Sequence, residues 1–217
     1  TIESIEAGVD VVDVALGSMS GLTSQPNFNT LVAILQHSPH KLPFNLASLN
    51  QFSAYWETVR EWYYPFESGL KAGTAEVYDH EIPGGQYSNL RPQANALGLG
   101  GQMEAIKKNY KDVNELFGHI VKVTPSSKVV GDLALYMVAN NYTKADIINR
   151  ADSIDFPQST KNFFRGELGQ PYQGFPKALQ KSVLKNEVPL TERANAHLVP
   201  IDFDAAFNEF KAAHEGV

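Results

Sequence analysis

The sequence predicts a mainly α-helical protein with one buried β-strand close to its start. Apolar residues recur at helical spacing through most of the chain after Asn27, and glycine, proline or hydroxyl residues separate these segments. The run from Val9 to Ala15 differs, because it is short, rich in valine and ended by Gly17. Such a run is typical of a strand buried in a parallel sheet. Since one strand forms no sheet, we expect its partner strands in a preceding part of a longer protein.

The composition is that of a folded, acidic protein. Hydrophobic residues make up 43% of the 217 residues, which argues against disorder. The formal net charge of −6 argues against nucleic acid or an anionic membrane as the main partner. No apolar run reaches the roughly 18 residues that span a bilayer. Cysteine is absent, so the chain has no disulfide or zinc–thiolate site, which fits a cytoplasmic protein.

Capping residues mark the helix ends along the chain. Helices are predicted at 27–36, 49–64, 91–99, 103–117, 128–140, 157–166, 177–185 and 204–214. A further short helix begins at Thr143, where Asp146 completes a capping pattern. Gly118 is expected to end the helix predicted at 103–117. Residues 75–89 are predicted to be a loop, with a serine or asparagine at its end capping the next helix.

The segment 80–90, with the sequence HEIPGGQYSNL, is the first candidate for ligand contact. Its paired glycines allow a tight turn or a close backbone approach, and they place the amide of Gln86 where it could reach a ligand. A plain turn between helices is the alternative, and spacing alone favours it. Gly-Gly-Gln also occurs in peptide-release factors, but the acidic surroundings here argue against RNA contact.

The segment 121–132, with the sequence VKVTPSSKVVGD, is the second candidate. A turn of hydroxyl residues leads into a helix N-terminus, where free N–H groups and the helix dipole favour an anion. Lys128 adds a positive charge one turn into the helix. Simple N-capping by Ser126 or Ser127 is the alternative, and physical reasoning alone favours it. The phosphate-binding Gly-x-x-x-x-Gly-Lys sequence is absent.

The histidines give no metal-binding pattern. His37 and His40 are three residues apart, but Pro39 breaks the helix that would align them. No His-x-His or His-Glu-x-x-His sequence is present. No metal ligand is therefore assigned to this chain. The aromatic residues from Tyr55 to Phe66 are interpreted as packing residues, although a flat ligand could stack on them.

Six segments, in this order along the chain, resemble the pyruvate carboxylase family. They are 7–13, 18–26, 63–67, 80–90, 121–132 and 169–176. The resemblance covers essentially the whole chain and identifies it as the C-terminal half of the family's carboxyltransferase region. The sequences Gly-Gly-Gln-Tyr and Val-Thr-Pro-Ser-Ser-Lys are specific in combination. One departure is Arg193-Ala194-Asn195, where the family has Arg-Pro-Gly, and it lies in a late loop.

The resemblance implies a fold class and an activity. Residues 1–40 correspond to the last strand and helix of a TIM-type α/β barrel, and residues 41–217 to a helical C-terminal extension that forms a funnel over the barrel mouth. The family is a biotin-dependent ligase that transfers the carboxyl group of carboxybiotin to pyruvate. The product, oxaloacetate, serves anaplerosis and gluconeogenesis.

The resemblance also implies cofactors and partners. Biotin is carried on a separate carrier domain, and a divalent metal is bound by ligands outside this chain. The expected partners are that carrier domain, the N-terminal half of the barrel and pyruvate, in a homo-oligomeric parent enzyme. We expect the isolated chain to be inactive, since half of the active site is missing.

Four residues match functional positions of the family. Thr124 is the expected catalytic residue, because a hydroxyl is both donor and acceptor and can relay a proton between biotin and pyruvate. Gln86, Ser127 and Lys128 match positions that line the approach of biotin, where their groups suit a ureido oxygen or a carboxylate.

Two alternatives remain open. The carboxyltransferase subunits of oxaloacetate decarboxylase and of transcarboxylase share the fold and run related chemistry. The segment 80–90 and the pair Tyr63-Tyr64 favour pyruvate carboxylase over them. A different kind of role is non-catalytic, in which this region is a docking and dimerisation module for the carrier domain.

Overall fold

Helices dominate the computed structural model, which describes residues 1–67, 69–70, 72–196 and 198–214. Its α-helices are α1 (Ile2–Glu6), α2 (Phe28–Leu35), α3 (Leu46–Trp62), α4 (Val77–His80), α5 (Gly84–Ala96), α6 (Met103–Leu116), α7 (Ser126–Ala139), α8 (Lys144–Arg150), α9 (Gln158–Arg165), α10 (Lys177–Leu184) and α11 (Phe203–Ala213). Short 3₁₀ turns lie at Gly17–Met19, Tyr64–Phe66, Gly100–Gln102 and Ala151–Ser153. Helices take 57% of the described residues, so the mainly helical prediction is confirmed.

The predicted strand at 9–15 is not formed. Its only ladder contact among the described residues is an isolated parallel bridge between Ala15 and Asn27. Two hydrogen bonds make this bridge, from Ala15 N to Pro26 O at 3.0 Å and from Phe28 N to Ala15 O at 2.8 Å. Val11 is 77% exposed. A strand exists only through pairing with a neighbour, and the described part of the chain offers this run no partner strand.

The packed region is built around α6 and α7. Nine of the fourteen residues of α7 are buried, as expected for a helix covered on most of its faces. Four phenylalanine rings pack together where α9 and the segment before α10 meet the end of α6. The ring centroids of the contacting pairs lie 4.9 to 5.7 Å apart, and the four residues are Phe117, Phe163, Phe164 and Phe175. The core therefore depends on contacts among α5, α6, α7, α9 and α10.

The helix α5 begins earlier than predicted. The segment 75–89 was expected to be a loop, but α4 lies within it and α5 starts at Gly84. Burial explains the difference, because Gln86, Leu90 and Ala94 lie on one face of α5 and pack inward. The expected cap by Ser88 or Asn89 is wrong, since the Ser88 hydroxyl donates to carbonyls of the preceding turn.

Two predicted turn signals are confirmed. Gly118 follows α6 in the left-handed conformation, with φ +87°, and its N–H donates to Glu115 O at 3.1 Å. Thr143 and Asp146 form a reciprocal capping box at the start of α8. The turn at Gly118 directs the chain away from α6 toward the segment that precedes α7.

The region before residue 68 is much less buried. Leu31, Val32 and Leu35 of α2 are buried, whereas none of the seventeen residues of α3 is. Asn27 and Asn45 cap these two helices through their side chains. Arg60 holds the end of α3 by donating to the Ser18 carbonyl at 2.6 Å. Helix caps and the hydrogen bond from Arg60 thus hold this region in place more than burial does.

Candidate functional site

The segment before α7 places Thr124 on the surface. Its side chain is exposed, and its hydroxyl makes no hydrogen bond within the described chain. Ser126 fixes the neighbouring backbone, because its hydroxyl accepts from Val123 N at 3.2 Å and lies 2.7 Å from Val121 O. Capping of α7 by a serine side chain was expected, but the cap residue is Pro125 and no side chain caps the helix. The hydroxyl of Ser126 is engaged by the chain before the helix instead.

Ser127 and Lys128 lie in the first turn of α7, on different faces. Ser127 is buried, and its carbonyl oxygen accepts a hydrogen bond of 3.3 Å from the Tyr110 hydroxyl. Burial, with the negative charge of Glu81, raises the pKa of Tyr110, so this group stays a donor. Lys128 is exposed and pairs with Asp132 one turn later at 2.8 Å.

Gln86 is buried against α7 and has an unused donor. Its amide nitrogen Nε2 has no hydrogen-bond partner within the described chain. A Cβ on Gly131 would lie 2.6 Å from this nitrogen, so the glycine leaves the space that the amide fills. Ser127 and Gly131 are four residues apart and share a face of α7. The structure therefore brings Gln86 to the face of α7 that carries Ser127, while Lys128 lies beside it.

Glu81 links the two sequence segments that contain these residues. Its carboxylate oxygen Oε2 accepts from Lys122 Nζ at 3.0 Å and from Asn114 Nδ2 at 2.9 Å. The hydrogen bond from Lys122, assisted by Asn114, holds the pKa of Glu81 below its usual range, although burial acts in the opposite direction. Sequence reasoning missed this contact, because the partners are 33 and 41 residues away and no local pattern signals them.

A cleft of about 600 Å³ lies beside the start of α5. His80 lines it, buried, with its ring stacked on Tyr87 at a centroid distance of 5.5 Å. The nitrogen Nδ1 of His80 accepts from Ile82 N at 2.9 Å. Burial lowers the pKa of His80, and the charge of Lys107 lowers it further. His80 is thus a neutral, structural histidine at neutral pH.

Within the described residues, no group of three or more His, Cys, Asp or Glu side chains could hold a metal ion. The same part of the chain has no helix that is both long and apolar enough to cross a membrane. The cytoplasmic location and the absence of a nucleic-acid partner stay predictions.

Known proteins have sequences similar to this one. Residues 77–216 match the family model of a conserved carboxylase domain. The chain is 49% identical over 212 residues to the pyruvate carboxylase of Bacillus subtilis, and 42% identical over 211 residues to the mitochondrial pyruvate carboxylase of Homo sapiens. These alignments cover 98% and 96% of this chain but 18% of each relative.

Solved structures share the fold. The carboxyl transferase domain of Rhizobium etli pyruvate carboxylase matches with a TM-score of 0.93 at 45% identity, over 99% of this chain and 36% of that chain. The same domain solved with pyruvate and biocytin matches with a TM-score of 0.93. This chain therefore belongs to the conserved carboxylase domain family. The relatives and structures compared above are pyruvate carboxylases, as the sequence resemblance predicts, and the chain spans about a fifth of the length of the two relatives.

Proposed function

We propose that this chain is part of the carboxyl transferase of a biotin-dependent pyruvate carboxylase, which transfers a carboxyl group from carboxybiotin to pyruvate and gives oxaloacetate. The observation that carries the proposal is the amide nitrogen of Gln86, which has no hydrogen-bond partner among the described residues and is buried against the face of α7 that bears Ser127. A buried N–H without an acceptor costs free energy unless a ligand supplies an oxygen. This donor, on α5, packs against α7, the helix that Thr124 precedes.

The polar groups near the start of α7 fit the ureido ring of biotin. The ring offers a carbonyl oxygen, and the Gln86 amide, the Ser127 hydroxyl and the Lys128 ammonium group are all donors. When bound, carboxybiotin supplies the carboxyl group that is transferred. Lys128 pairs with Asp132 at the surface, where an ion pair contributes little, so its ammonium group can turn toward an anionic ligand.

Thr124 is the proposed proton relay. Its hydroxyl is exposed and has no partner in the described chain, so it is available to a substrate. The oxygen Oγ1 can accept a proton from the methyl group of pyruvate while the hydroxyl gives its own proton to the cofactor side of the site. An alcohol is too weak an acid to lose its proton outright, so the two transfers must occur together.

The divalent metal of the proposed parent enzyme does not fit the described residues, which offer no cluster of three ligands. No step here depends on it. We place its ligands, as well as part of the pyruvate site, in the remainder of the carboxyl transferase domain.

We propose that residues 1–40 complete a TIM-type barrel in that domain and that residues 41–217 form its helical extension. The run at 9–15, which pairs only through the bridge at Ala15 among the described residues, and the exposed side chain of Val11 support a missing neighbouring strand. Exposed aromatic side chains on and after α3, such as Trp62 and Phe66, support a covering surface. The chain covers 36% of the matched domain, so the rest of that domain is the proposed occupant. The carrier domain and a second subunit are the further proposed partners, and the isolated chain is proposed to be inactive.

The test is oxaloacetate decarboxylation, stimulated by free biotin, in the complete carboxyl transferase domain. We expect Thr124→Ala to lower the rate by about 10² to 10⁴, the usual contribution of positioned proton transfer. Thr124→Ser keeps the hydroxyl and should retain most of the activity. Thr191→Ala removes another exposed threonine and serves as the matched control.

Full activity of Thr124→Ala with an unchanged fold would contradict the catalytic role. If such a variant still bound the carrier domain, the docking-module alternative would be favoured instead. The related carboxyltransferases of oxaloacetate decarboxylase and transcarboxylase remain the alternative within the same chemistry. The pyruvate carboxylases among the relatives favour the main proposal.

A further inference from the structure

A carboxylate joins the two segments that carry the proposed site residues, in addition to the packing of Gln86 against Gly131. Glu81 lies five residues before Gln86, and its partner Lys122 lies two residues before Thr124. The ion pair between them is shielded, since the side chain of Lys122 is 16% exposed and that of Glu81 is 30% exposed. A shielded pair with a second hydrogen bond holds its geometry better than an exposed one.

The helix α6 contacts both segments that the Glu81–Lys122 ion pair joins. Asn114 donates to the same carboxylate oxygen as Lys122, at 2.9 Å. One turn earlier, Tyr110 donates to the carbonyl of Ser127 at 3.3 Å. Tyr110 and Asn114 are four residues apart, so one face of α6 contacts both segments. Glu81 and the start of α7 are thus fixed to the same rigid support.

The backbone at Glu81 shows that its position is constrained. Its φ of +61° lies in the left-handed region, which is unfavourable for a residue with a Cβ. The Glu81 N–H donates to Val77 O at 2.9 Å, which ends α4 and turns the chain toward α5. A glycine would suit this conformation better, so the carboxylate is the feature that a glycine could not provide.

We propose that Glu81 is a positioning residue, which holds the Thr124 segment in register with Gln86 by binding Lys122 and Asn114. The inference rests on the proposed function of Thr124 and Gln86. Glu81 contacts neither a substrate nor a cofactor in this role. It sets the distance between the proton-relay hydroxyl and the amide donor, and a misplacement of about 1 Å is enough to slow an enzyme about 10²-fold.

The experiment uses the complete parent enzyme and measures kcat and KM for pyruvate in oxaloacetate formation. Glu81→Gln keeps the shape and the strained φ but removes the charge. We expect it to lower kcat about tenfold, with KM within about twofold of the parent value, as for an interaction that matters only in the transition state. Lys122→Met should give a similar loss. The double variant should be no slower than either single variant, since the two residues act through one contact.

Glu115→Gln is the matched control. Glu115 lies next to Asn114 on α6, is 32% exposed at its side chain and pairs with Lys144, far along the chain from Thr124. Removal of the Glu115 charge should leave kcat unchanged. Glu81→Gly relieves the left-handed strain but lacks the carboxylate. Glu81→Gly should therefore be as slow as Glu81→Gln, and its free energy of unfolding should be no lower than that of Glu81→Gln.

The outcomes separate this inference from the function on which it rests. If Thr124→Ala loses activity while Glu81→Gln and Lys122→Met keep the parent kcat, the positioning role is wrong and the proposed function stands. Independent, multiplying losses in the double variant would also overturn the role. If Thr124→Ala keeps its activity, the proposed function and this inference both fail.

Discussion

The helices α3 and α7 are both rich in apolar residues, yet the chain treats them differently. In α7 nine of fourteen residues are buried, whereas in α3 none of seventeen is. The helix α7 is surrounded by its own chain, whereas α3 presents Phe52, Tyr55 and Trp56 to the outside. Apolar periodicity reports that a helix has a buried face in the working protein. It does not report whether the covering surface belongs to the same chain.

The same contrast separates two regions of the chain. The region from α4 to α10 contains the phenylalanine cluster and the proposed site, and the conserved-domain match starts at Val77, where α4 begins. The region before residue 68 buries few residues and carries most of the exposed aromatic side chains. The division at residues 40 and 41 predicted from the sequence stays a prediction.

The largest expected effect compares a core phenylalanine with an exposed tryptophan. Phe164 is fully buried among three other rings, so Phe164→Ala should lower the free energy of unfolding by about 3 to 5 kcal/mol. Trp62 is 81% exposed, so Trp62→Ala should change it by no more than about 0.5 kcal/mol in the 217-residue chain. Urea denaturation of the three proteins measures both differences.

The same pair of variants in the complete carboxyl transferase domain sharpens the comparison. If the rest of the domain covers α3, Trp62→Ala should lower the free energy of unfolding of the complete domain several times more than that of the chain alone. An equally small effect in both proteins would mean that this tryptophan is exposed in the working enzyme, and the covering surface would have to lie elsewhere.

Local signals predicted much of the helical fold. The caps at Asn27 and Thr143 and the glycine at Gly118 depend on hydrogen bonds within a few residues, so they can be read from the sequence. The run at 9–15 could not be placed, because strand pairing depends on partners far along the chain. The start of α5 was missed because two glycines suggested a loop, whereas burial of the following face overrides that propensity.

The site divides in the same way. Gln86, Ser127 and Lys128 were named from motif resemblance, and the structure brings the first two to one face of α7. The roles of all three, as well as that of Thr124, stay predictions. The contacts of Glu81 were not foreseen, since a carboxylate in a loop gives no sign of partners on α6 and before α7. Motif reading finds groups that carry chemistry, whereas the residues that hold them in place require coordinates.

A smaller effect is expected at Gly131, inside the well-packed α7. Gly131→Ala should gain up to about 1 kcal/mol of helix propensity, but the new methyl group meets Gln86 Nε2 at 2.6 Å and Leu90 at 3.3 Å. The flexible amide can move, so the free energy of unfolding should change by less than about 1 kcal/mol. Biotin-stimulated decarboxylation by the complete domain should fall about tenfold, because the donor is displaced.

Gly85→Ala is the control for that variant. It also introduces a methyl group on a helix, next to Gln86, but nothing lies within 4 Å of the new atom. It should keep the activity of the parent. Equal activity of the two variants would show that the position of the Gln86 amide does not matter, which would weaken its assignment to the biotin site.

The smallest effect concerns His80, at the boundary between the two regions compared above. Its pKa in the folded chain is lowered, chiefly by burial, from an ordinary value of about 6.5. The unfolded chain therefore binds the proton first as the pH falls. The contribution of His80 to stability is complete above about pH 6.5 and is lost as the pH falls through the lower folded pKa. Protonation of Nδ1 would also break its hydrogen bond with Ile82 N.

His80→Asn separates this titration from all others in the chain. The asparagine oxygen can accept the hydrogen bond from Ile82 N in place of Nδ1 but does not titrate. We expect the free energy of unfolding, measured by urea denaturation from pH 8 to pH 5, to decline more steeply in the parent than in the variant. Parallel curves would mean that His80 keeps an ordinary pKa, and that the start of α5 is open to water rather than part of the packed region.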